Sequence, residues 1–211
     1  MITAVSLSTL AVFVPTFFFI SATPGMCMTL AMTLGISIGV RRTLWMMMGE
    51  LLGVGLVALA AVLGVASVMM AYPKVFVLLK IVGGAYLFYL GVQMWLSRGR
   101  MAIDMGDAES GPSVTRQQLF TQGFVTAVAN PKGWAFFVAV LPPFLSSELP
   151  LWPQLGVLLA VILSLEFLCM MLYATGGKAL RVLLAQQSSV QVLNRISGTL
   201  MMGIGVWMLA V

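Results

Sequence analysis

The sequence predicts an all-α polytopic membrane protein: six transmembrane helices in two inverted three-helix repeats, each repeat opening with a Pro-broken helix. Three observations carry this. Of 211 residues, 61% are hydrophobic and 8% charged, where a soluble domain carries about 25% charged residues. Apolar runs recur at about 3–39, 43–71, 76–96, 119–145, 151–176 and 190–211, and roughly 20 helical residues suffice to cross the hydrocarbon layer. The runs are continuous rather than alternating every second residue, which excludes a β-barrel.

The first run is too long for one straight helix and is interrupted at Thr23-Pro24-Gly25. The second carries one acid, Glu50, and the third a seven-residue glycine spacing, Gly84 and Gly91. A polar stretch at 97–118, with Arg98, Arg100, Asp104, Asp107, Glu109, Gly111, Pro112 and Arg116, reads as a loop too short to be a domain. The pattern then repeats: a break at Asn130-Pro131-Lys132, an acid at Glu166, and Gly198 with Gly205. Residues 1–96 and 119–211 are therefore the two repeats, joined by 97–118. With three spans in each, the second copy is inverted, and inverted repeats with interrupted helices at matching places point to a secondary transporter.

Loop charge sets the orientation. Arg41 and Arg42, then Arg98, Arg100 and Arg116, then Lys178 and Arg181 occupy alternate loops, while the remaining two hold only Lys74. The positive-inside rule puts these basic loops in the cytoplasm and both termini outside. If the first run turned back at Pro24, a seventh crossing would bring the N-terminus inside; residues 26–40 are short for a full span, so six is preferred. The net charge of +5 is thus a matter of topology rather than of a nucleic-acid partner. Residues 1–20 lack the basic start of a secretory leader.

Several chemistries drop out. There is no histidine, the commonest general base and metal ligand, so a membrane-embedded enzyme is disfavoured. Cys27 and Cys169 both lie in apolar runs and form no CxxC pair. Gly176-Gly177-Lys178-Ala179 lacks the first glycine and final hydroxyl residue of a phosphate-binding loop. No cofactor is expected.

What remains is charge at depth. Proline removes an N–H and clashes with the carbonyl four residues back, and the freed backbone groups are tolerated in a bilayer only where they line a cavity or are covered by protein. A half-helix starting after such a break directs N–H groups and partial positive charge inward, a cradle for a carboxylate. Glu50, Glu166 and Lys132 lie within the apolar runs, where an ionisable group usually faces a cavity or a partner. Burial disfavours the ionised carboxyl, so Glu50 and Glu166 suit proton loading and release; the plainer alternative is a structural pair such as Glu166 with Lys132. Lys80 and Arg195, near span ends, are expected to snorkel. Gly49-x3-Gly53 and Gly35-x3-Gly39 would let helices approach closely, inside the chain or in a homodimer. Met46-Met47-Met48 reads as packing filler, and Met26-Cys27-Met28 as a candidate soft-metal set, so that a metal-ion or other small-solute exporter is the alternative function.

The same residues carry a resemblance. Ser21-Ala22-Thr23-Pro24-Gly25 is similar to the Thr-Pro-Gly-Pro motif of the LysE/RhtB amino-acid exporters, with Met26 where the family has its second proline. Gly49-Glu50, the stretch Leu79-Lys80 through Gly83-Gly84-Ala85-Tyr86 to Gly91, Gly123-Phe124 with Asn130-Pro131-Lys132, and Ser197-Gly198 to Gly205 resemble further family signatures, in order along nearly the whole chain. The resemblance implies a bacterial inner-membrane permease with periplasmic termini, exporting an amino acid or close derivative in exchange for protons. In that reading Thr23, Pro24, Gly25, Asn130 and Pro131 offer groups to the zwitterion. Lys132 faces its carboxylate, and Glu50 or Glu166 takes its ammonium or the coupling proton.

Overall fold

The structure is a computed structural model that describes residues 5–71, 73–96, 114–146, 148–185 and 187–210. Arg98, Arg100, Asp104, Asp107, Glu109, Gly111 and Pro112 fall outside these residues, as do the side chains of Lys74, Lys80, Lys178 and Arg181. Among the described residues all regular structure is helical.

Ser6 caps α1 (Leu7–Ala22), accepting the Thr9 N–H at 3.0 Å. The helix ends because a residue before proline is driven out of the α region: Thr23 is extended, at φ −66°, ψ 128°. Beyond Gly25 the chain restarts as α2 (Met26–Ser37), bent 58° from α1. Gly39 turns the chain into α3 (Val40–Ala71) at φ +82°, a conformation that favours glycine. The packing role expected for Gly39 is thereby corrected, since nothing lies within 4 Å of where its side chain would be. α4 (Pro73–Leu96) completes the first half.

The second half follows the same plan. α5 (Arg116–Val128) begins inside the stretch expected to be loop, because Thr115 and Gln118 form a reciprocal capping box. Asn130 caps α6 (Pro131–Ala139), accepting the Lys132 N–H at 3.1 Å, with Pro131 in the first-turn position where its missing N–H costs nothing. Here the bend is 53°. A 3-10 turn (Pro142–Phe144) leads to α7 (Leu151–Ala185) and then α8 (Gln187–Ala210). The turn before α7 is held by buried Gln154, which accepts the Ser146 N–H and donates to the Ser146 and Leu149 carbonyls at 3.0 and 2.9 Å.

Glycines decide which helices touch. A Cβ on Gly49 or Gly123 would collide with the backbone of Phe120 or Met46, so α3 and α5 cross in backbone contact. Their N-terminal ends also meet, Arg42 donating to the Val114 carbonyl at 2.5 Å, and the two helices run in the same direction. Gly35 is pressed against Ala174, joining α2 to α7. The seven-residue glycine pairs pack on each other: a Cβ on Gly91 would lie 2.6 Å from the Gly198 carbonyl oxygen, and one on Gly205 2.6 Å from that of Gly84. Residue 91 meets 198 and 84 meets 205, so α4 and α8 are antiparallel.

By length and composition, α3 and α7 each hold a stretch able to cross a membrane, Val40–Gly64 and Leu151–Gly176; counting each bent pair as one span gives up to four among the described residues. Two apolar clusters divide the interior. One gathers Phe13, Phe17, Val57, Phe136, Phe137, Phe144 and Leu158. The other is sulfur-rich, with Met28, Met32, Met46, Met47, Cys169 and Met170. Met46 and Met47 are fully buried filler, as expected, while Met48 turns outward, 55% exposed.

Candidate functional site

Breaking α1 frees carbonyls that the apolar surroundings cannot satisfy, and two other helices, α6 and α7, supply donors to them. The Phe19 carbonyl keeps its helical bond from the Thr23 N–H at 3.1 Å and also accepts from Thr23 Oγ1 and Ser197 Oγ, at 2.8 and 2.9 Å, which stand 2.6 Å from each other. Lys132 Nζ donates to the Ile20 carbonyl at 2.8 Å and reaches that of Thr23 at 3.5 Å. Tyr173 OH donates to the Ala22 carbonyl at 2.7 Å. The second break is served by Trp134, whose indole N–H donates to the Val128 carbonyl at 2.8 Å. The irregular backbone is thus covered by protein, as a bilayer demands.

Between the two breaks lies a cavity with about 60 Å³ open to the centres of water molecules, space for a few waters, each of which needs roughly 10–15 Å³. Thr23 and Gly25 line it from the first break, Asn130 and Lys132 from the second, Glu50 from α3 and Glu166 from α7. Of the eight site residues expected from the sequence, these six meet there; Pro24 and Pro131 do not line the cavity but fix the ends of the half-helices. Phe17, Ile20, Val54, Val57, Phe136 and Phe137 form the apolar remainder of the wall.

The two carboxyls differ. Glu166 accepts the Ser21 hydroxyl at 2.5 Å and faces Lys132. Glu50 is wholly buried, and among the described residues no backbone, hydroxyl or amide group bonds its oxygens; the Glu166 carboxyl and the Cys27 thiol are its polar neighbours. The two breaks differ as well. Asn130 caps α6 with its own side chain, whereas α2 starts at Gly25 with no side-chain cap, leaving its first N–H groups without that partner.

Sequence reasoning passed over Ser197, Tyr173 and the aromatic wall, and gave Ser21 no role. Ser197 and Ser21 carried a signal, each being a hydroxyl in an apolar run near a glycine or a break; Tyr173 reads like any interfacial aromatic. The proposed sulfur set divides. Cys27 and Met28 are buried and line the cavity, but Met26 is 49% exposed and does not, because successive helical residues point about 100° apart. Asn130 Nδ2 approaches Cys27 Sγ at 3.8 Å.

The LysE type translocator family matches residues 18–210, which takes in both breaks, both acids and both glycine pairs. The chain belongs to that family. Among LysE relatives, the homoserine/homoserine lactone efflux protein of Salmonella typhimurium is 27% identical over 186 residues, 88% of each chain. The leucine efflux protein of an Enterobacter species is 25% identical over 188 residues, again 88% of each, and a membrane protein of Vibrio cholerae is 25% identical over 185 residues. No solved structure gives a significant match. As a LysE translocator the chain is a membrane transporter, and the cavity between its two broken helices brings together an ammonium, two carboxyls and several polar groups.

Proposed function

We propose that the protein exports a neutral amino acid, or a close derivative, across the bacterial inner membrane in exchange for protons. In this reading it has six spans in two inverted repeats, with both termini outside. The observation that carries the proposal is the cavity itself: one ammonium and two carboxyls meet inside an apolar protein, where two helices are interrupted. The substrate carboxylate would sit between Lys132 and the uncapped N-terminus of α2, where N–H groups and partial positive charge converge. Its ammonium faces Glu166, which Ser21 orients. Its side chain lies against Phe17, Phe136 and Phe137; the names of the homoserine and leucine relatives favour a neutral substrate.

Glu50 is suited to the coupling proton. A buried carboxyl that no backbone, hydroxyl or amide group bonds is tolerated neutral and is costly as an ion, so it holds a proton while the cavity is closed and yields it when water enters. The aromatic cluster on one side of the cavity and the sulfur-rich cluster on the other serve as alternate seals.

The test is counterflow in proteoliposomes preloaded with leucine, homoserine, lysine or no amino acid, under an imposed pH gradient. Wild type exchanges neutral amino acids and is accelerated by inward protons; Lys132→Gln loses exchange; Glu50→Gln retains exchange and loses the acceleration. Transport that responds to pH identically in Glu50→Gln and wild type refutes the coupling. Absence of exchange with every amino acid, alongside copper or cadmium sensitivity caused by Cys27→Ser, would transfer the function to metal export.

A further inference from the structure

A second cavity lies where the N-termini of α3 and α5 come together. Arg41, Arg42, Trp45, Val114, Thr115 and Arg116 surround an open cavity of about 550 Å³. Among the described residues its walls hold three guanidinium groups and no carboxylate. Arg42 is oriented by its bond to the Val114 carbonyl. Arg116 lies 5.4 Å over the Trp45 ring, which fixes the plane of its guanidinium. Arg41 is exposed and has no hydrogen-bond or ion-pair partner among the described residues. The Thr115 oxygen accepts the Gln118 N–H at 3.2 Å, which leaves its own proton to donate.

Three arginines in one pocket repel each other unless an anion joins them, and the planar fork of a guanidinium matches the oxygens of a phosphate. Of the six acids in the chain, Glu50 and Glu166 line the central cavity, Glu148 lies in the turn before α7, and Asp104, Asp107 and Glu109 fall outside the described residues. The level in the membrane is informative. The apolar stretch of α3 begins at Val40, beside the pocket, and Trp45 is 37% exposed one turn further in. Tryptophan and arginine at that boundary occupy the depth of lipid headgroups, and basic pockets between helices on the cytoplasmic side suit anionic ones.

We propose that the pocket of Arg41, Arg42, Trp45 and Arg116 binds a phosphate group, supplied by an anionic phospholipid headgroup or by free phosphate. The site is separate from the transport cavity, and its existence does not depend on what is transported.

The experiment is native mass spectrometry of the full chain in phosphatidylcholine, with phosphatidylglycerol or inorganic phosphate added. Wild type retains one phosphatidylglycerol over phosphatidylcholine, and Arg41→Gln and Arg116→Gln each lower the retention about fivefold, the factor for ~1 kcal/mol per basic group. Trp45→Leu lowers it without changing the charge, and Arg116→Lys restores part of it. Retention abolished by inorganic phosphate, which is itself retained as an adduct, identifies the free anion as the source and still supports the site. Arg195→Gln is the control, because Arg195 stacks on Trp95 at 5.2 Å in the same way but does not line this pocket. The proposal is overturned if Arg195→Gln lowers retention as much as Arg116→Gln, or if the Arg41 and Arg116 variants retain phosphatidylglycerol and phosphate like wild type. Retention seen only when Asp104, Asp107 and Glu109 are neutralised also overturns it, since the chain's own carboxylates would then be the occupants.

Discussion

Replacing Glu50 with methionine separates stability from function in an unusual direction. In most buried positions, removing a polar group destabilises by breaking its hydrogen bonds. Glu50 is buried and no backbone, hydroxyl or amide group among the described residues bonds its oxygens. Its polar neighbours are the Glu166 carboxyl and the Cys27 thiol, so methionine forfeits little hydrogen bonding, and the unmet desolvation of such a group is worth about 1–3 kcal/mol. Methionine has similar length and enough flexibility to occupy the space beside Cys27, Met28 and Val54, all of which line the same cavity. Glu50→Met is therefore expected to stabilise the protein by about 1–3 kcal/mol, an increase of about 2–4 °C in melting temperature for each kcal/mol in a chain of this size. Acceleration of export by a pH gradient is lost at the same time. The assay is thermal unfolding in detergent followed by tryptophan fluorescence, paired with vesicle transport. A melting temperature that falls by several degrees would refute the reasoning, because it would mean that the carboxyl is held by partners and supports the fold.

Gly123→Ala should force α3 and α5 apart: its Cβ would lie 2.8 Å from the Met46 carbonyl carbon and 3.0 Å from the Glu50 amide nitrogen. These are backbone atoms that cannot rotate away, so a loss of at least about 1–3 kcal/mol is expected by thermal melting, together with reduced transport as Glu50 is displaced. Tyr173→Phe leaves the Ala22 carbonyl without its donor and should cost about 1–3 kcal/mol. Ser197→Ala is expected to be milder, about 0.5–1.5 kcal/mol, because the Phe19 carbonyl keeps its bond from Thr23; equal losses in the two variants would contradict this difference. Replacing Gly91 with leucine drives a side chain into Gly198 and Met202. Folded yield should fall sharply while substrate preference in the remaining protein is unchanged.

Much of the site was legible because apolar surroundings make polar residues conspicuous. Glu50, Glu166 and Lys132 were identified by depth alone, and Thr23 and Asn130 by the prolines that follow them; all five line one cavity. The seven-residue glycine spacing marked matching helices in the two halves of the chain. Their pairing, Gly91 with Gly198 and Gly84 with Gly205, required the fold, because a glycine announces that something approaches without naming what does. Gly39 had the spacing of a packing glycine and proved to be a turn: spacing along a helix carries no information about where the helix ends.

The sequence by itself determined the helical membrane class, the two interruptions and the residues too polar for lipid, since hydrophobicity and the missing proline N–H act locally. Only the tertiary structure decided which carboxyl is satisfied and which is not. Ser21 and Glu166 are 145 residues apart, and no local rule distinguishes Glu166 from Glu50. The same holds for the freed α1 carbonyls, caught by Lys132 and Tyr173 from two other helices. A hydrogen bond is made at about 3 Å, and that distance is set by packing rather than by position in the chain.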